Sequence, residues 1–122
     1  MMSFVTKYRP QQEFSTQERC SINELLNQAV HSECSIARAS VAPGVTTQLH
    51  SIKNTIERYV ILEGKGQVFV GGSKPQSVEY LDVVTIPAGV PQKIHNSGEC
   101  ELIFLCICTP RFEQKNYQQL GQ

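Results

Sequence analysis

Between Cys34 and Cys108 the chain repeats one pattern: short runs in which apolar, often β-branched residues alternate with polar ones, divided by clusters of Gly, Pro, Asn and Ser. Spacing of this kind predicts an all-β sandwich or barrel, and no long helical period competes with it. Strands are expected from Ser35 to Val41, stopping at Pro43-Gly44, then from Thr46 to Ile52 and from Ile56 to Glu63. Gly64-Lys65-Gly66 tolerates positive φ and predicts a hairpin that returns through Gln67 to Val70. Gly71 to Pro75 is a second reversal, and further strands are expected at Val83 to Ile86, Gln92 to Asn96 and Glu101 to Cys108. Pro110 ends the last, because proline has no N–H to give a ladder. Upstream, Ser21-Ile22-Asn23-Glu24 has the spacing of a helix capping box, yet Cys20, Ile22, Glu24 and Leu26 also alternate, and the alternation favours a strand. The chain therefore divides into an N-terminal extension packing on the barrel (1–33), the barrel (34–110) and a polar tail (111–122) held by Phe112, Tyr117 and Leu120.

A length of 122 residues suits one domain with one core. Eleven basic and eleven acidic side chains cancel, which speaks against nucleic acid or an anionic membrane as partner. No apolar run reaches the ~18 residues of a membrane helix and no leader pattern opens the chain, so a soluble cytoplasmic protein is expected. The five cysteines, Cys20, Cys34, Cys100, Cys106 and Cys108, are an odd set in that setting and are expected to be reduced. Cys106 and Cys108 stand in an apolar strand, where a free thiol packs as a small hydrophobe.

Side-chain parity brings out the chemistry. Gln48, His50 and Ile52 share one strand face, and Glu57, Tyr59 and Ile61 share one face of the next. If these two strands pair across Lys53 to Thr55, His50 and Glu57 converge inside the barrel. An imidazole and a carboxylate suit one divalent metal such as Zn, Fe, Mn or Ni. The same pair also survives burial without metal if each satisfies the other by hydrogen bonding. His95 lies three residues past Gln92, on the opposite face from Gln92, Ile94 and Asn96, and reads as a surface histidine.

The segment from Pro43 to Gly64 resembles the first motif of the cupin family, with Gly44, His50, Glu57 and Gly64 in register. Pro87-Ala88-Gly89 and Asn96 match the second motif, and Asp82 takes the place of its Gly-Asp step. The resemblance spans roughly Ile36 to Pro110 and implies a double-stranded β-helix, or jelly-roll barrel, with a metal-ligand set at its mouth. Three departures bear on that site: Ile52 and Gln92 stand where the family has histidines, and Leu81 stands where it has a glycine. The ligand set thereby shrinks to His50 and Glu57 with Gln92 as an oxygen donor. Two functions remain open. The first is small-molecule binding in a pocket formed by Gln48, His50, Ile52, Glu57, Tyr59, Gln92 and Ile94. The second, which the resemblance implies, is a metal-dependent isomerase, dioxygenase or decarboxylase acting on a small sugar or organic acid, with Glu57 as general base. The resemblance also implies a homodimer, for which Phe4, Val5, Tyr8, Phe112 and Tyr117 are the apolar anchors.

Overall fold

Residues that alternate in polarity alternate in burial, and that regularity builds nearly every element. The computed structural model describes residues 4–121, and these contain eleven strands, two single 3-10 turns and no α-helix. In chain order the first strands are β1 (Phe14–Ser15), β2 (Ser21–Leu26), β3 (Ser35–Val41), β4 (His50–Ile52) and β5 (Ile56–Glu63). They are followed by β6 (Gly66–Val70), β7 (Gln76–Val78), β8 (Val83–Ile86), β9 (Gln92–Asn96), β10 (Leu102–Thr109) and β11 (Tyr117–Gln119). In β10 Leu102, Phe104, Cys106 and Cys108 are buried while the intervening residues are half-exposed, the period-two signature of a strand with one face on a core. No helix among the described residues is long and apolar enough to cross a membrane.

Two antiparallel sheets face each other in a jelly-roll barrel. One runs β1-β2-β3-β10-β5-β8 and the other β11-β4-β9-β6-β7. Ile61, Ile86, Ile94 and Leu102 from both sheets fill the space between them at no more than 1 % exposure. Each such side chain contributes about 1.5–3 kcal/mol relative to its exposed state. Asn96 pins the end of β9: its Nδ2 donates to the carbonyls of Val41 and Cys100, and its Oδ1 accepts from Gly98 N. Upstream, β2 lies antiparallel on β3, from Ser21 opposite Ser40 to Leu26 opposite Ile36, so the alternation and not the capping-box spacing decides Ser21–Leu26. Leu81 occupies the left-handed region, with φ of 67°, at the position where the motif calls for glycine.

Three expectations about strand pairing are corrected. The segment after Gly64 does not return as a hairpin on β5; β6 crosses to the other sheet and pairs with β7 and β9. The glycines there serve close packing: a Cβ on Gly64 would stand 2.6 Å from Glu101 O, and one on Gly66 2.6 Å from His95 O. Nor do β4 and β5 pair with each other, since β4 joins β9 and β11 while β5 joins β10 and β8. Finally, the strand expected from Thr46 begins only at His50, because Thr46 and Thr47 are diverted to bond with His95 and Ile94 on β9.

Candidate functional site

His50 and Glu57 come together from opposite sheets, not from neighbouring strands. Register places Gln92 opposite His50 on the β4–β9 ladder and Cys108 opposite Glu57 on the β5–β10 ladder. All four side chains are buried, and Gln92, Glu57 and Cys108 are linked by hydrogen bonds. Gln92 Nε2 donates to Glu57 Oε1 at 2.8 Å, and the Tyr59 hydroxyl donates to Gln92 Oε1. The Cys108 thiol reaches Glu57 Oε2 at 3.8 Å. His50 Nδ1 donates to the Gln48 carbonyl at 2.8 Å, so this nitrogen carries a proton and a neutral ring keeps its lone pair on Nε2.

Burial pushes the Glu57 carboxyl above its ordinary value, against the opposing pull of the Gln92 amide and of His50. The Tyr59 hydroxyl is driven up as well, first by burial and then by the Glu57 carboxylate. Burial likewise raises the Cys106 and Cys108 thiols and takes Cys20 to about 12, so these thiols are neutral and poor nucleophiles.

A cavity of about 330 Å³ opens beside this cluster, and more than half of its lining comes from segments before Ala37 or after Cys108. The turn before β2 sends Glu18 into it, with Oε2 3.1 Å from His50 Nδ1. The single proton on that nitrogen points to the Gln48 carbonyl, leaving Glu18 Oε2 buried and without a hydrogen bond. From β11, the Tyr117 ring stacks on the His50 ring with centroids 5.3 Å apart and an interplanar angle of 22°. Burial and the adjacent Glu18 carboxylate hold the Tyr117 hydroxyl well above its ordinary value. Sequence parity could find neither residue: Glu18 sits in a turn 32 positions before His50, and Tyr117 sits in a polar tail. The only available signal was the aromatic character of Tyr117.

Of the pocket residues expected from sequence, His50, Ile52, Glu57, Tyr59 and Ile94 line the cavity. Gln48 does not, because it precedes the strand and meets His50 through its carbonyl. Gln92 is tucked behind the lining, clamped between Tyr59 and Glu57. These positions bear directly on a metal. Both Glu57 oxygens accept hydrogen bonds from within the protein, Gln92 Oε1 faces Tyr59, and Ile52 offers no donor atom. Among the described residues no group of three His, Cys, Asp or Glu side chains is placed to hold an ion. This donor set does not fit a divalent transition metal, which needs three or more free protein ligands.

Known proteins place this geometry in context. The model of the cupin domain matches residues 37–108. An uncharacterised protein of Methanocaldococcus jannaschii is 32 % identical over 117 residues, covering 94 % of this chain and 93 % of its own. An oxalate-binding protein of Thermotoga maritima is 32 % identical over 84 residues, 68 % of this chain and 69 % of its own. Among solved structures, a predicted oxalate decarboxylase of Thermotoga maritima superposes with a TM-score of 0.73 at 25 % identity, covering 85 % of this chain and 98 % of its own.

Proposed function

The chain belongs to the cupin family, and on that footing we propose that it binds a small organic molecule in the cavity beside His50 without a resident transition metal. The observation that carries this reading is the closed hydrogen-bond chain Tyr59–Gln92–Glu57–Cys108. It engages both Glu57 oxygens and Gln92 Oε1 with protein donors, and a buried polar network satisfied from within gives up those partners if it turns to an ion. What is left for a ligand is the His50 ring edge and apolar walls, a proportion typical of small-molecule pockets.

The metal-dependent enzyme reading draws on two relatives, the 32 % identical oxalate-binding protein and the 25 % identical predicted oxalate decarboxylase. Metal analysis separates the two. After dialysis the purified protein is expected to hold far less than one equivalent of Zn, Fe, Mn or Ni. Stoichiometric metal that survives dialysis and is lost in His50→Ala would overturn the proposal. A companion variant checks the geometry: Ile52→His with Gln92→His restores two imidazoles where the family motif has them and should create a metal site by titration. As part of the same reading we place the protein in solution as a homodimer, with the exposed Phe4 and Tyr8 among its contacts. A light-scattering mass near 13.6 kDa would contradict that.

A further inference from the structure

His50 Nε2 makes no hydrogen bond among the described residues, and it fixes what a ligand has to bring. We propose that the ligand is an uncharged, flat aromatic molecule with one O–H or N–H group, which it donates to His50 Nε2. This rests on the metal-independent reading above and names the ligand class of that same cavity.

Every carboxylate of the cavity is already engaged. Glu18 Oε2 is covered by His50 Nδ1 at 3.1 Å, and its Oε1 takes the Cys20 thiol at 3.8 Å. Glu24 Oε2 accepts from Asn27 Nδ2 at 2.7 Å, and Glu57 accepts from Gln92 and Cys108. Burial also drives Glu57 toward its neutral form. Among the described residues no lysine or arginine lines the cavity. An ion of either sign would therefore give up its hydration without meeting a free countercharge. The hydroxyls are occupied as well. Thr47 Oγ1 joins the carbonyl and the N–H of Ile94, Thr16 Oγ1 donates to the Cys20 carbonyl, and Ser35 Oγ accepts from Phe112 N. Gln17, Gln114 and Gln119 also line the cavity, but they are exposed to solvent.

The direction of the remaining hydrogen bond follows from the backbone. A carbonyl can only accept, so the 2.8 Å contact with Gln48 O puts the ring proton on Nδ1 and leaves Nε2 of the neutral ring as an acceptor. The ring lines the cavity and is stacked on Tyr117, which holds that lone pair in one orientation. A ligand with only an acceptor would set one lone pair against another. Elsewhere the walls carry the rings of Phe14, Tyr59, Phe104, Phe112 and Tyr117, which suit an aromatic body in offset or edge-to-face contact. A volume of about 330 Å³ lies at the small end of ligand pockets and matches one or two rings. Phe14, Phe112 and Tyr117 lie outside residues 37–108, so the terminal segments supply much of this aromatic wall.

Four matched probes test the proposal: phenol, anisole, benzoate and benzylamine, titrated at pH 7 into the wild-type protein by NMR. Phenol should bind about three- to tenfold tighter than anisole, which has the oxygen but no proton to give, the advantage of one hydrogen bond between neutral groups. Benzoate and benzylamine, one ion of each sign, should bind at least about tenfold weaker than phenol. His50→Phe keeps a ring against Tyr117 and removes the acceptor, so phenol and anisole should then bind alike. Anisole or either ion binding as tightly as phenol, a preference for phenol that survives His50→Phe, or no binding by any probe would overturn the assignment. If His50→Phe does not fold, the ranking on the wild-type protein alone decides. The metal analysis reads the underlying proposal independently, so the two failures are distinguishable.

Discussion

Two sets of side chains meet at His50, and they are finished to different degrees. The set from the barrel, Glu57, Tyr59, Gln92 and Cys108, is closed on itself, with each donor aimed at an acceptor of the same set. The set from the terminal segments is open: Glu18 keeps an oxygen without a hydrogen bond, and Tyr117 offers a ring face to His50. A satisfied network gives rigidity and little affinity, because a ligand would have to break bonds in order to form them. An unsatisfied group gives affinity and little rigidity. The motif residues here hold the site in shape, and the flanking residues Glu18 and Tyr117 close over His50.

Substitutions in the two sets should therefore behave differently. The largest effect is expected from Gln92→Leu, which strips Glu57 Oε1 and the Tyr59 hydroxyl of their partners inside the barrel. Each buried group left unpaired costs about 1–3 kcal/mol, so urea denaturation should show a loss of about 2–6 kcal/mol. A loss below about 1 kcal/mol would break the claim that the barrel set depends on its own closure.

Next comes Glu57 itself. Its folded-state value is raised above the ordinary 4.5, so the native protein holds this proton at pH values where the unfolded chain has released it. The stability it contributes is complete below about pH 4.5 and falls as pH rises through the folded-state value. Glu57→Gln keeps the acceptor for Gln92 and should flatten that decline in thermal midpoints measured from pH 4 to 8. A variant that loses stability as steeply as the wild type over this range would show that Glu57 is not the group responsible.

The smallest effect is expected from Glu18→Gln, whose carboxylate supports no hydrogen bond through Oε2. A change within about 1 kcal/mol in the same urea assay would match an open set. A loss as large as that of Gln92→Leu would mean that the two sets do not differ in kind.

Strand identity was readable wherever burial is one-sided, because period two leaves its mark on the residues themselves; β3, β5 and β10 are examples. The meeting of His50 and Glu57 was readable too, although its geometry was not. Parity tells which face a side chain takes but not which strand lies beside it. Gly64-Lys65-Gly66 shows why: the same glycines suit a tight hairpin or a close approach of backbones, and the second use is decided by Glu101 and His95, both distant in sequence. Gln48 failed for a local reason, since the two threonines before it bond to β9 and interrupt the strand whose parity placed it. Glu18 left no trace at all. A lone glutamate in a polar turn looks the same whether it faces water or a cavity.

The connector between β4 and β5 has a consequence of its own. Lys53-Asn54-Thr55 leaves one sheet and enters the other; Lys53 N is tied to the Asn116 carbonyl at 2.8 Å, Asn54 has φ of 57°, and Thr55 Oγ1 is closed onto the Lys53 carbonyl. It acts as a calliper, spanning the gap between the strand that carries the imidazole and the strand that carries the carboxylate. The connector, two exposed residues and the buried Thr55, carries no group of the site itself, so the spacing of the walls and their chemistry can vary separately. Which way the imidazole and the carboxylate face is held elsewhere, by the ladders of β4 with β9 and β11 and of β5 with β10 and β8.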